Sequence, residues 1–180
     1  IKHDFEEYGV RVNAAAHYTQ ISDFQATTFT GTGFNLQNAG DIIVKGVELE
    51  ATWLMTENTE LHAVASRTLA NFDEFNRGTC WVAYTWHTGI DDPGRVEPND
   101  PFCSRDGDRV GFEPQNSLSL MLNHYFEVGN YPASASIDYQ YTGDVFLDDA
   151  NDPYKYADDF SLFNVRVSFT IPQWDSEIIA

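Results

Sequence analysis

The chain has 180 residues, enough to bury a core of its own. Its 28 Asp and Glu against 10 Lys and Arg leave a net charge of −18 and an isoelectric point near 4.3, which excludes a nucleic-acid partner. Hydrophobic residues make up 42%, with 13 Phe, 9 Tyr and 4 Trp, so the acidity is not that of a disordered tail, and no run approaches the roughly 20 apolar residues of a membrane-spanning helix.

Taken in chain order, the hydrophobic pattern repeats every two residues and so predicts strands throughout. Ile1 opens without an initiator Met or a signal peptide, which reads as an internal cut. The first strand sets Val10, Val12, Ala14, Ala16 and Tyr18 against Arg11, Asn13, Ala15, His17 and Thr19. The next sets Val47, Leu49, Ala51 and Trp53 against Glu48, Glu50 and Thr52, and the stretch from Leu61 to Phe72 is a strand by position more than by alternation. Leu118, Leu120 and Leu122 then oppose Ser119, Met121 and Asn123. From Ala133 the odd positions Ala135, Ile137, Tyr139 and Tyr141 oppose Ser134, Ser136, Asp138, Gln140 and Thr142. Phe163, Val165, Val167, Phe169 and Ile171 oppose Leu162, Asn164, Arg166, Ser168 and Thr170, and the run Ser176 to Ala180 begins another strand cut short.

The connections are short and long in turn. Thr56–Glu60, Glu127–Asn130 and Pro172–Asp175 are tight turns, whereas about 76–115 and 148–159 far exceed ordinary hairpin loops. Tight turns on one rim and long loops on the other are what outer-membrane barrels display, with the turns inside and the loops outside. Trp53, Phe126, Tyr131, Phe169 and Trp174 collect at the tight-turn ends, where an interfacial girdle lies. The fold expected is therefore all-β, an antiparallel up-and-down transmembrane β-barrel represented by about six strands plus the start of another. Residues 1–180 make one partial barrel domain and 76–115 a long extracellular loop. Leu118, Leu120, Leu122, Ile137, Tyr139, Tyr141, Phe163, Val165, Val167, Phe169 and Ile171 are its lipid-facing residues. A secreted soluble β-sandwich, such as a lectin-like binding module, has the same periodicity and is the alternative; a second sheet over the apolar face would distinguish it.

Particular residues carry further expectations. Cys80 and Cys103 in the long loop pair as a disulfide, and with only His87 nearby they do not make a metal site. Trp81, Tyr84, Trp86 and His87 either contact a ligand at the mouth or pack on the disulfide. Gly40 and Gly46 mark a bulge, a close backbone approach or a plain bend, and Glu48 and Glu50 point to a wet lumen. The string Asp148, Asp149, Asn151, Asp152, Asp158 and Asp159 lacks EF-hand spacing and reads as a solvated loop, and Asp106-Gly107-Asp108 as a turn. Catalytic elbows, phosphate loops and zinc-protease helices do not occur, and the five His are dispersed, so neither an enzyme nor a resident cofactor is expected.

The segment Asn38-Ala39-Gly40, followed by Gly46-Val47-Glu48-Leu49-Glu50, resembles a late barrel strand of TonB-dependent outer-membrane receptors. Tyr18 to Gln25 is similar to the strand preceding it in that family, and Gln115 to Leu120 to the entry of a later one. The resemblance implies an outer-membrane location in a bacterium and a parent barrel of about 22 strands, plugged by an N-terminal domain. It also implies import of a scarce nutrient, by default a ferric siderophore or similar iron chelate. The partners implied are outer-membrane lipid, the nutrient ligand, and a TonB-type energising protein reached through the N-terminal part.

Overall fold

A computed structural model describes residues 1–29, 33–38, 40–81, 89, 91–98, 100, 102–174 and 176–180. Its strands are β1 (Lys2–Phe5), β2 (Val10–Ile21), β3 (Gln25–Phe29), β4 (Phe34–Asn38), β5 (Ile42–Thr56), β6 (Thr59–Phe72), β7 (Gly78–Thr79), β8 (Phe102–Cys103), β9 (Asn116–Val128), β10 (Tyr131–Thr142), β11 (Val145–Phe146), β12 (Tyr156–Ala157), β13 (Phe160–Ile171) and β14 (Ser176–Ile179). Eight of them form one antiparallel sheet in the order β1-β2-β5-β6-β9-β10-β13-β14, each joined to the next along the chain. This is the up-and-down wall of an incomplete β-barrel. Six long strands and the start of another match the expected set; β1 is an addition, too short to display a period. The strand beginning at Val10 stops at Ile21, where Asp23 turns the chain with a positive φ of 56°.

Register decides the faces, because residues paired directly across a ladder project to the same side. Leu118, Leu120 and Leu122 pair with Tyr141, Tyr139 and Ile137, and Ile137, Tyr139 and Ala133 pair with Val165, Phe163 and Phe169. On the other flank Leu61 pairs with Leu122 and Trp53, Leu49 with Ala14 and Ala65, and Val47 with Ala16. Alternation within each strand and pairing between strands thus join all the expected apolar positions, Val167 and Ile171 included, into one face. That face is uncovered among the described residues: Phe163, Val165 and Val167 are 65, 57 and 46% exposed. Among the described residues no second sheet of the kind the sandwich alternative requires packs on it. Of the tight-turn aromatics, Trp53, Phe126, Tyr131 and Phe169 share the face, with the Tyr131 and Phe169 rings 5.4 Å apart, while Trp174 stands exposed in the turn after β13.

The two rims differ as expected. Glu57-Asn58 and Gly129-Asn130 turn β5 into β6 and β9 into β10, and short 3₁₀ turns at Glu6–Tyr8 and Pro172–Trp174 close the other hairpins on that rim. The opposite rim carries the β3–β4 hairpin, the long segment 73–115 with its two-residue β7 and β8, and the segment 143–159 with β11 and β12.

Candidate functional site

The elaborate rim is where this chain has an interior. The polar face of the sheet turns apolar in its last residues, where Ile42 and Phe72 lie directly opposite each other and are 3% and 1% exposed. Phe75 closes over them, its ring 4.9 Å from that of Phe72, with Phe24, Val44 and Val110 packed around. Backbone pairing extends the wall upward: the Phe72 and Val110 amides donate to the Asp108 and Ala70 carbonyls at 3.0 and 2.9 Å.

Above this apolar base the long loop is built around an ion pair. Arg105 and Asp92 contact each other through Nη2 and Oδ2, with side chains 2% and 0% exposed. The burial cost of such a pair is offset by hydrogen bonds to its remaining polar atoms, and here all of them but the buried Arg105 Nε are bonded. Asp92 Oδ2 also accepts the Trp81 amide at 2.8 Å and Oδ1 the Gly94 amide at 2.8 Å, while Arg105 Nη1 donates to the Ala150 carbonyl at 2.7 Å and to Asp108 at 3.2 Å. The Cys80–Cys103 disulfide, as expected from the sequence, clamps this core, with Cα atoms 5.2 Å apart. A crosslink of this span removes about 3 kcal/mol of unfolded-chain entropy in the loop-closure treatment.

The segment 143–159 is fastened to the same core. Trp81 Nε1 donates to the Ala150 carbonyl at 2.6 Å, and Arg109 Nη1 and Nη2 donate to Asp144 Oδ2 and its carbonyl at 2.6 and 2.9 Å. Asn151 exchanges hydrogen bonds with the Arg109 backbone, and Asp149 accepts the Gly111 amide at 2.9 Å. Asp148 holds Lys155 at 2.8 Å, and Asp152 is buried at 1% exposure. The central part of the acidic string is therefore not a solvated loop. Its carboxylates cap backbone amides and basic side chains, which ties two loops together; only Asp158 and Asp159 keep to the exposed surface. Trp81 is half-buried and tied to Asp92 through its amide and to Ala150 through Nε1, whereas Tyr84, Trp86 and His87 lie outside the described residues, as does Ala39. Asp106-Gly107 forms the expected turn, with Gly107 at φ +79°.

The glycines resolve differently from each other. Gly40 follows β4, which ends at Asn38, and has φ +79°; a Cβ there would stand 1.8 Å from the Glu74 carbonyl oxygen, so it is a close approach between the first loop and the long one. Gly46 sits in an unbroken ladder between His17 and Thr68, and the His17 imidazole occupies the space a side chain would need. Glu48 and Glu50 share the polar face with it, and Glu50 accepts from Asn13 at 2.9 Å. The residues that sequence reading missed are Arg105, Asp92, Arg109 and Asp144. Their only signal was an arginine two residues beyond a half-cystine, a rare cation in an acidic chain.

Two carboxyls of the rim titrate in opposite senses. Hydrogen bonding from Arg109 holds Asp144 below the ordinary 3.8, while burial pushes Asp108 above it, only partly offset by Arg105. The depressed Asp144 value contributes stability that is present above 3.8 and is lost as pH falls through the native value. Asp108 acts inversely: as pH falls from neutral it protonates early and relieves its own burial cost. Acid titration should therefore leave the contact between the two loops at full strength until the pH is below 3.8, then release its Arg109–Asp144 tie while the other ties remain. Asp144→Asn should abolish that acid step and lower neutral-pH stability by at most about 1 kcal/mol for so exposed a pair. Hydrogen exchange at the Arg109 amide, corrected for intrinsic pH dependence, reads the release.

A family model described as "TonB dependent receptor-like, beta-barrel" matches residues 3–177. No curated protein matches the chain. Among solved structures, the ferric yersiniabactin uptake receptor FyuA of Yersinia pestis superposes with a TM-score of 0.64 at 18% identity, over 93% of this chain and 21% of that one. The siderophore receptor PiuA of Acinetobacter baumannii gives 0.60 at 15% identity, over 94% and 21%. The FrpB iron transporter of Neisseria meningitidis gives 0.56 at 15%, over 94% and 23%. The chain thus spans about a fifth of the length of each, and at these identities the likeness is one of fold.

Proposed function

Given that this chain belongs to the TonB-dependent receptor-like β-barrel family, we propose that it is a stretch of barrel wall, with its outer loops, in an outer-membrane importer of a scarce nutrient. An iron chelate such as a ferric siderophore is the default cargo, in keeping with what the similar structures are named for. The observation that carries the reading is the register, which gathers the apolar side chains of six long strands on one exposed face and sets five carboxylates, Glu48, Glu50, Glu60, Glu127 and Asp138, on the other. The first face meets lipid and the second lines a wet lumen.

In this reading the tight-turn rim faces the periplasm and the docked loops face outward. Of the disulfide-bonded loop, Trp81, Tyr84, Trp86 and His87 are the residues proposed to contact the ligand at the mouth. In this reading the protein works by binding and passage. Energy reaches it from a TonB-type protein acting on the N-terminal part of the parent.

The test is made on the full-length protein containing this chain, produced in an outer membrane. It should shift between heat-modified and folded gel positions in detergent, and cells bearing it should take up a labelled ferric chelate. Replacing 82–88 by a Gly/Ser linker should reduce uptake while the gel shift persists. A full-length protein that is folded and monomeric in plain buffer would overturn the proposal.

A further inference from the structure

The apolar face of the six long strands carries no Asp or Glu at all, although the chain has 28 of them. It carries two full charges, Lys45 on β5 and Arg67 on β6, and both are basic and exposed. They are close: Lys45 pairs with Leu69 and Arg67 with Val47, a diagonal relation across adjacent strands that separates such residues by about 7–8 Å. Neither has a carboxylate partner among the described residues.

Their height on the wall is informative. Along β5 this face reads Lys45, Val47, Leu49, Ala51, Trp53, so from Lys45 to Trp53 is eight residues, about 27 Å along the strand and roughly 20 Å in height at the tilt of barrel strands. That is close to the height of the apolar band of a barrel, with the interfacial Trp53 at the turn-side edge and the cations at the loop-side edge. Tyr18 stands beside Lys45 in the ladder, its ring centroid 5.8 Å from Nζ, as expected of a polar-tipped aromatic at an interface. Below Arg67 the surface sinks into a mostly apolar groove of about 800 Å³, lined by Ile1, Ala14, Ala16, Val47, Leu49 and Ala65, with Glu48 and Ser66 as its polar members.

We infer that Lys45 and Arg67 bind the phosphate headgroup of an outer-leaflet lipid, whose acyl chain lies in the groove beneath them. A cation on a lipid-facing wall is costly unless it reaches the interface or an opposite charge. Here two unpaired cations reach the same level, where lipid phosphates lie, above a groove that fits hydrocarbon. A free phosphate would satisfy the charges and leave the groove unused; the groove argues for the lipid. The inference rests on the barrel reading above.

The probe is phosphatidic acid, compared with phosphatidylcholine of the same chains and with inorganic phosphate. Retention on the detergent-purified full-length protein is followed by native mass spectrometry. Phosphatidic acid should be retained in preference to phosphatidylcholine. Lys45→Gln with Arg67→Gln should weaken retention about thirty-fold, from about 1 kcal/mol per basic side chain. Lys45→Arg should preserve it, and Arg11→Gln with Arg166→Gln, on the opposite face, should leave it unchanged. Equal retention of phosphatidylcholine, undiminished binding by the Lys45/Arg67 double variant, or displacement of the lipid by equimolar inorganic phosphate would overturn the inference. A heat-modifiable barrel that fails these tests sinks the lipid site alone. A protein that folds without detergent sinks the barrel reading and the site together.

Discussion

Replacing Arg105 by alanine is expected to cost about 3–5 kcal/mol in the free energy that holds the long loop in its closed form, because it strands Asp92 as an unpaired charge at 0% exposure. The loss is local. Trp81 and Gly94 depend on Asp92 for their amide partners, and the loop of 143–159 depends on Arg105 for the bond to Ala150. Amide exchange at Trp81 and Gly94 should therefore accelerate by about a hundredfold or more, while the β9–β10 ladder keeps its protection. Asp92→Asn should be milder, since an amide retains an oxygen for the Trp81 amide and leaves Arg105 its bonds to Ala150 and Asp108. Exchange at Trp81 that is unchanged in Arg105→Ala would mean that the disulfide, not the ion pair, closes the loop.

Phe72→Ala is expected to cost about 3–5 kcal/mol by leaving a cavity that the neighbouring strands cannot close. Phe72 is 1% exposed at the end of β6, between Ile42 across the ladder and Phe75 above, with Phe24 reaching in from the first loop at 6.4 Å between ring centroids. These contacts join two loops, the first and the long one, to the rim. The readout is exchange at Arg105 and Gly107, whose amides donate to the Phe75 and Phe72 carbonyls at 2.8 and 2.9 Å. Both should open more readily, and the barrel should remain heat-modifiable. Phe72→Leu should lose less than about 1.5 kcal/mol, because most of the volume is kept. Equal losses for Ala and Leu would show that the position works through ring stacking and not through volume.

The candidate site divides along the same line as these two residues. The Cys80–Cys103 bridge was legible because an even cysteine pair on one loop has few uses, whereas Trp81 was legible only as a loop aromatic with two open roles. Arg105, Asp92 and the Arg109–Asp144 pair were not legible, because their partners lie 13 to 45 residues away and no periodicity relates residues of irregular backbone. The acidic string was misread as solvated for this reason: composition reports charge, and only folding reports what stands opposite it.

The wall itself was determined by the sequence alone. A side chain in a strand alternates sides with a period of two whatever the strand pairs with, so Phe163 to Ile171 or Ile137 to Tyr141 announce a half-apolar strand and its two faces before any neighbour is known. Short turns at Glu57-Asn58 and Gly129-Asn130 then force adjacent antiparallel pairing, which makes the strand order follow the chain. What only the tertiary structure decided was register and, above the rim, everything but the disulfide. Register placed Lys45 beside Arg67 across two strands, and packing turned Ile42 and Phe72, nominally on the polar face, into the base of a buried core. Both depend on contacts between residues distant in sequence, whose energies are collective and leave no local pattern to read.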